Sequence, residues 1–238
     1  MVAIFVVLTV LICVSIDALI EKRRLWSAPA GRPETRRVRP FGERLSLPPG
    51  LFIHPGHSWV DIQLSGVVRI GIDDFVGQVL GRPDRVSLLP SGKCVAQGEP
   101  IITLERDGHQ IALPAPLSGV IQTSNNTLVT QPGSVVEAPY ERGWIYTLQP
   151  SRLEAEIGLL SIAATAAAWL IDEVERFVDW VADVRTRHPI DALADGGMPT
   201  VGVLAHLSDA DWEDFQENFL TSLDPRSASN SPKKDLKP

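Results

Sequence analysis

The stretch 101–113 constrains the fold more than any other part of the chain, because its two halves mirror each other around Asp107-Gly108. That dipeptide suits the positive φ angles at both central positions of a two-residue type I′ hairpin loop. Pairing outward from it sets Arg106 opposite His109, Glu105 opposite Gln110, Leu104 opposite Ile111 and Ile102 opposite Leu113. Apolar meets apolar and polar meets polar. A slip of one residue would turn every side chain to the wrong face, so the sequence predicts a hairpin of fixed register.

The surrounding residues, 51–148, carry no long helical period, and Gly and Pro recur every few positions, as in a small all-β domain. Val68, Ile70 and Ile72 alternate with Arg69 and Gly71 like a half-buried strand, and Asp73, Asp74, Phe75, Val76 and Leu80 fit one short helix after it. Pro90-Ser91-Gly92 and Gln97-Gly98 mark turns. With 238 residues and 44% hydrophobic content, the chain has room for one modest domain with appendages.

One appendage precedes the domain. Residues 2–20 are interrupted only by Thr9, Ser15 and Asp17, which matches the ~20 apolar residues of a membrane-crossing helix. No Lys or Arg comes before that run, whereas Lys22, Arg23, Arg24, Arg32, Arg36, Arg37 and Arg39 follow it. By the positive-inside rule the C-terminal part stays in the cytoplasm, as a single-pass membrane protein. A cleaved signal peptide would carry its positive charge first, and a small-residue cleavage site after. Asp17 falls in the last turn of the span and reads as interfacial. Residues 22–50 are rich in Pro and Arg and read as an extended linker near the membrane surface. Beyond residue 44 the chain has 14 basic against 25 acidic residues, which argues against nucleic acid as a partner. Two cysteines, Cys13 in the apolar run and Cys94 in a turn, imply neither a disulfide framework nor a thiolate metal site.

The other appendage follows. Leu160, Ala163, Ala167, Leu170, Val174, Phe177, Val181 and Val184 alternate by three and four, predicting a seam along one helix over 152–187. Such a seam packs on its own domain or the helix at 212–220, or else on a partner helix or a second copy of the chain. The apolar stretch 157–171 is short for a span, and an interfacial placement stays open. The Ser/Pro/Lys tail has no apolar pattern and is expected to be disordered. The expected divisions are an anchor at 1–21, the linker at 22–50, a β domain at 51–150, the long amphipathic helix at 151–190, a C-terminal segment with a helix at 191–221, and the tail at 222–238.

An ordered set of landmarks adds a family resemblance. His57-Ser58-Trp59-Val60, Val68 through Phe75, Leu80-Gly81, Gly98-Glu99-Pro100, Leu104-Glu105, Ala115-Pro116-Leu117-Ser118-Gly119, Asn125-Asn126 and Ala138 through Trp144 follow one another along roughly 100 residues. In order and spacing they resemble blocks of the glycine cleavage system H protein, and Leu207-Ser208 with 212–220 look like that family's terminal helix. The resemblance implies a barrel-sandwich hybrid β domain of the lipoyl/biotinyl type with C-terminal helices and with 154–200 inserted; together with the N-terminal transmembrane helix read above, the expected chain is α+β. It also implies a lipoyl-lysine at the hairpin tip, which in the family shuttles aminomethyl groups and reducing equivalents between enzymes. Here Glu105 keeps the place of the glutamate three residues before that lysine, and the lysine position is Gly108. The only lysines are Lys22, Lys93, Lys233, Lys234 and Lys237.

The remaining candidates carry little chemistry. His54 and His57 have a metal-like spacing but no third ligand nearby in sequence, and His57 adjoins a core Trp in the resemblance. His109 reads as an exposed turn histidine. The paired acids Asp73-Asp74 and Asp209/Asp211 sit at helix starts, where capping is their expected work, with Ser208 and Asp211 as a capping box and Leu207 as its staple. No catalytic residue, cofactor or metal ligand is therefore expected. The leading reading is a non-catalytic, non-lipoylated, membrane-anchored docking or assembly module. Its protein partner is unidentified, with the seam from Leu160 to Val184 as the candidate contact. A periplasmic adaptor of the membrane-fusion type and a lipoyl carrier modified at another residue are the alternatives.

Overall fold

The computed structural model describes Phe41, Leu45 and residues 47–187 and 199–220. The expected anchor, most of the linker and the tail lie outside the described residues. Among the described residues no helix is long and apolar enough to cross a membrane.

The domain is α+β. Strands β1 (Phe52–Ile53), β2 (Ser58–Ile62) and β3 (Val68–Ile72) lead into helix α1 (Asp74–Leu80), followed by β4 (Arg85–Leu88) and β5 (Cys94–Val95). Then come β6 (Pro100–Arg106), β7 (His109–Pro114), β8 (Gly119–Ser124), the short helices α2 (Thr127–Thr130) and α3 (Ser134–Glu137), and β9 (Tyr146–Pro150). Last are α4 (Leu153–Glu156), β10 (Ser161–Ile162), α5 (Ala163–Arg187) and α6 (Asp209–Phe215), which continues as one π-helical stretch, Gln216–Leu220. A seven-stranded sheet runs in the order β10-β1-β2-β3-β9-β8-β5, and a three-stranded sheet in the order β4-β6-β7. Every pairing is antiparallel.

The hairpin forms in the predicted register, with Arg106↔His109, Glu105↔Gln110, Leu104↔Ile111 and Ile102↔Leu113 paired. Asp107 (φ 52) and Gly108 (φ 84) both take the left-handed conformation that a type I′ turn needs. Leu104, Ile111 and Leu113 point into a core shared with Ile70, Ile72, Phe75 and Leu148. Tyr146 ties the two sheets together. From β9 its hydroxyl donates to the Ile101 carbonyl at 2.6 Å and accepts the Leu89 N–H at 2.7 Å, and burial pushes its pKa up to about 12. Trp59 lies fully buried over Gly71, its cross-strand partner, where any Cβ would overlap the indole.

Three expectations need correction. The single helix expected over 152–187 is broken: a 3-10 turn at Ile157–Leu159 contains Gly158, a poor helix former, and Ser161–Ile162 pair with β1 before Ala163 (φ 52) turns the chain into α5. The seam shifts accordingly. Ala163 and Ala167 are exposed, Ala166 and Glu173 lie inside, Val174 is half-buried, and Leu160, Leu170, Phe177, Val181 and Val184 keep the buried positions expected of them. That buried face packs on the chain's own core, so it is not free for a partner. Phe41, assigned to the extended linker, is also buried, with its ring 4.8 Å from that of Phe177 and 5.7 Å from that of Phe75.

Candidate functional site

The hairpin tip projects its backbone into open space, with nothing within 4 Å of where a Cβ on Gly108 would lie. The residues behind it are held from three sides. On the β4 side, Asp84 Oδ2 accepts the Asp107 N–H at 2.8 Å, and Arg85 lies 3.6 Å from Glu105. On the α1 side, Arg106 donates to the Leu80 carbonyl and lies against Gly81 and Gly202, both at positive φ and both without room for a side chain. On the third side His109 meets the C-terminal segment. Its Nε2 lies 2.8 Å from Asp209 Oδ1, and its ring stacks on Trp212 with centroids 4.7 Å apart and planes 7° from parallel. The reading of His109 as a mere exposed turn residue is thus corrected: a carboxylate 100 positions away is placed on it. No local signal in the sequence announces that pairing.

Glu105 does not reach the tip; it faces Gln110 and Arg85. Lys93 lies exposed in the turn before β5, a strand of the other sheet. Ser208 caps α6 as its sequence suggests, its hydroxyl accepting the Asp211 N–H at 3.3 Å and donating to Asp211 Oδ2 at 2.6 Å.

A second polar cluster has His57, Asp73 and Glu173 buried and Arg176 at its edge. His57 Nδ1 lies 2.8 Å from Asp73 Oδ2 and its Nε2 3.4 Å from Glu173 Oε1; the latter is an ion pair without the geometry of a good hydrogen bond. Asp73 uses its other oxygen to cap α1, accepting the Val76 N–H at 3.1 Å. Glu173 is gripped by Arg176, whose guanidinium sits 4.2 Å above the Phe219 ring and donates to the Asn218 carbonyl at 3.0 Å. Burial alone would lower the His57 pKa, but the Asp73 and Glu173 carboxylates outweigh it and raise the value to about 9. For Glu173 burial works upward, and His57 and Arg176 hold it below the usual carboxylate range. His54 goes the other way. Burial, then the neighbouring His57 charge, lowers it to about 4, and its Nδ1 accepts the Gly56 N–H at 2.9 Å, as only a neutral ring can. His57 also has φ 62, a left-handed conformation costing a non-glycine residue about 1–3 kcal/mol. Asp73 and Glu173 both arrive from other elements, so neither carboxylate adjoins these histidines in sequence. Among the described residues, no cluster of three or more His, Cys, Asp or Glu is arranged to hold a metal ion.

The family profile described as "Glycine cleavage H-protein" matches residues 51–171, half of the chain. This chain belongs to the glycine cleavage H-protein family. It is 33% identical over 121 residues to the probable glycine cleavage system H protein of Pyrococcus furiosus, spanning 51% of this chain and 90% of that one. To the H protein of Oceanobacillus iheyensis it is 34% identical over 128 residues, 54% of this chain and all of the relative. A solved H protein from Mycobacterium marinum is 30% identical and covers 52% of this chain and 98% of its own, with a TM-score of 0.46.

The matched residues run past Pro150, through α4 and β10, and stop two turns into α5. Both clusters straddle that limit. Asp73 and His57 lie inside it, and Glu173 and Arg176 just beyond. Glu105 and His109 lie inside, and Asp209 and Trp212 beyond. Residues outside the family match therefore clamp the H-type domain at two places.

Proposed function

We propose that this H-protein homologue is a non-lipoylated, non-catalytic docking module tethered to a membrane by residues 1–21, with its domain on the cytoplasmic side. The observation that carries this reading is the tip. Attachment of a lipoyl group by an amide needs a primary amine on an exposed turn, and here the turn is Asp107-Gly108, both left-handed, with no lysine from Cys94 to Pro232. A carrier arm must also enter active sites. This tip is instead anchored through Asp84, Arg106 and the His109–Asp209 contact. The hairpin is retained as a rigid feature, which suits a surface that another protein recognises.

Intact mass of the full chain, purified from cells that lipoylate their own H protein, tests the first half of this reading. The expected mass is that of the sequence, and one added lipoyl group would overturn it. The docking half predicts that solubilised membranes yield a stoichiometric protein partner, lost when the tip is altered by Asp107→Arg. Gly108→Lys restores the amine but forces a lysine to φ 84, so a stability loss of about 1–2 kcal/mol is expected from the backbone alone, read from the denaturant midpoint.

A further inference from the structure

Helix α5 presents two faces. One is buried, and the other changes character along its length. Ala164, Ala167, Ala168 and Ile171 recur at helical spacing on the exposed side, and Leu159 and Ile162, just before the helix, extend the patch. Leu159 is 51% exposed and Ile171 59%. No charged residue occurs between Glu156 and Asp172, after which the exposed positions carry Asp172, Glu175, Asp179 and Asp183. The first two turns are therefore apolar outward, the turns after them are acidic outward, and the last turn exposes Arg185 and Arg187.

We infer that the apolar start of α5, with Leu159 and Ile162, rests in the headgroup–acyl boundary of the bilayer to which the chain is tethered. This rests on the membrane reading above and adds a second contact to it. The path of the chain argues for lipid as the occupant. Incoming residues meet the domain at Phe41, which packs on Phe177, six residues or about 9 Å along α5 from Ile171. Residues 21–40 separate the apolar run from Phe41, and 20 residues span at most about 70 Å, so a domain tethered through that run stays within this reach of the bilayer. Phe177 faces the core and Ile171 is exposed, so the tether's root and the patch lie within two turns of each other along α5 but on different sides of the helix. Arg32, Arg36, Arg37 and Arg39 in that link favour anionic headgroups, whereas the acidic half of α5 keeps to water and limits immersion to the first turns.

The test uses the full chain with Cys13→Ser and Cys94→Ser, reconstituted into vesicles of phosphatidylcholine with a minority of phosphatidylglycerol. An environment-sensitive fluorophore is placed on Ala167→Cys or, as control, on Thr186→Cys, about 28 Å further along α5. At Ala167 the fluorophore is expected to be quenched by a lipid-borne nitroxide and shielded from aqueous iodide; at Thr186 the pattern reverses. Adding Ala168→Glu with Ile171→Glu, both at exposed positions, is expected to abolish the nitroxide quenching at Ala167 while the protein still floats with the vesicles. If the protein floats but the Ala167 probe is quenched by iodide alone, the tether stands and the second contact is wrong. Shielding from both quenchers means that protein, such as a second copy, covers the patch, and also overturns the inference. Failure to float removes the tether and this contact together.

Discussion

Asp73→Ala is expected to lower the unfolding free energy by about 3–5 kcal/mol, because it takes the nearer carboxylate from the buried His57 charge and leaves only the Glu173 contact at 3.4 Å. Asp73 and His57 are both fully buried, and the same substitution deletes the cap on α1. The charge state of His57 makes the effect depend on pH. A folded-state pKa of about 9 against 6.5 unfolded means that His57 contributes stability fully present below pH 6.5 and lost as pH rises through 9. His54, lowered from 6.5 to about 4, contributes in the opposite sense, its stability being present above 6.5 and lost as pH falls through 4. Glu173, held low, adds to the acid-side loss below the usual carboxylate range. Stability should therefore peak near pH 6.5, and chemical denaturation at a series of pH values measures it. In Asp73→Ala the alkaline fall should shrink, since the largest influence raising His57 is gone. A wild-type profile that stays flat from pH 6.5 to 9 would mean that His57 is neutral in the folded state.

The parts of this molecule that could be read in advance are those whose cause is local. The hairpin register follows from the mirror pattern around Asp107-Gly108 and is realised pair for pair. The caps by Asp73 and Ser208 follow from an oxygen-bearing side chain placed three residues before the N–H it accepts. What escaped the sequence needed partners brought from afar. His57 and Glu173 are 116 positions apart and His109 and Asp209 are 100 apart, so no period or spacing connects them. The break before α5 was hidden for a related reason. A periodic apolar pattern continues through 157–162, but pairing of Ser161 and Ile162 with β1 competes with helix there and wins. The buried Glu173 on an otherwise apolar face reads as an interruption of the seam until its partner is seen.

Phe177→Ala should cost about 3–5 kcal/mol, against a total of about 5–15 kcal/mol for an ordinary domain. The larger question is how that loss is distributed. Phe177 is fully buried at the centre of a ring cluster, with centroids 4.8 Å from Phe41, 5.5 Å from Phe75, 5.6 Å from Phe219 and 5.9 Å from Phe215. Phe41 belongs to the incoming link, Phe75 to the H-type domain, and Phe215 and Phe219 to the C-terminal segment. Were residues beyond 171 a separable addition, the substitution would release them first and leave the β domain folded. The packing argues otherwise, since Phe177, Phe215 and Phe219 share one continuous core with Ile70, Leu104 and Leu148. Removing the ring opens a cavity in that shared core. A single cooperative transition at lower denaturant is therefore expected, with tryptophan fluorescence and far-ultraviolet circular dichroism coinciding. Two separated transitions would show that the extension folds on its own, and that its hold on His109 at the hairpin tip is a docking contact able to release without unfolding the rest.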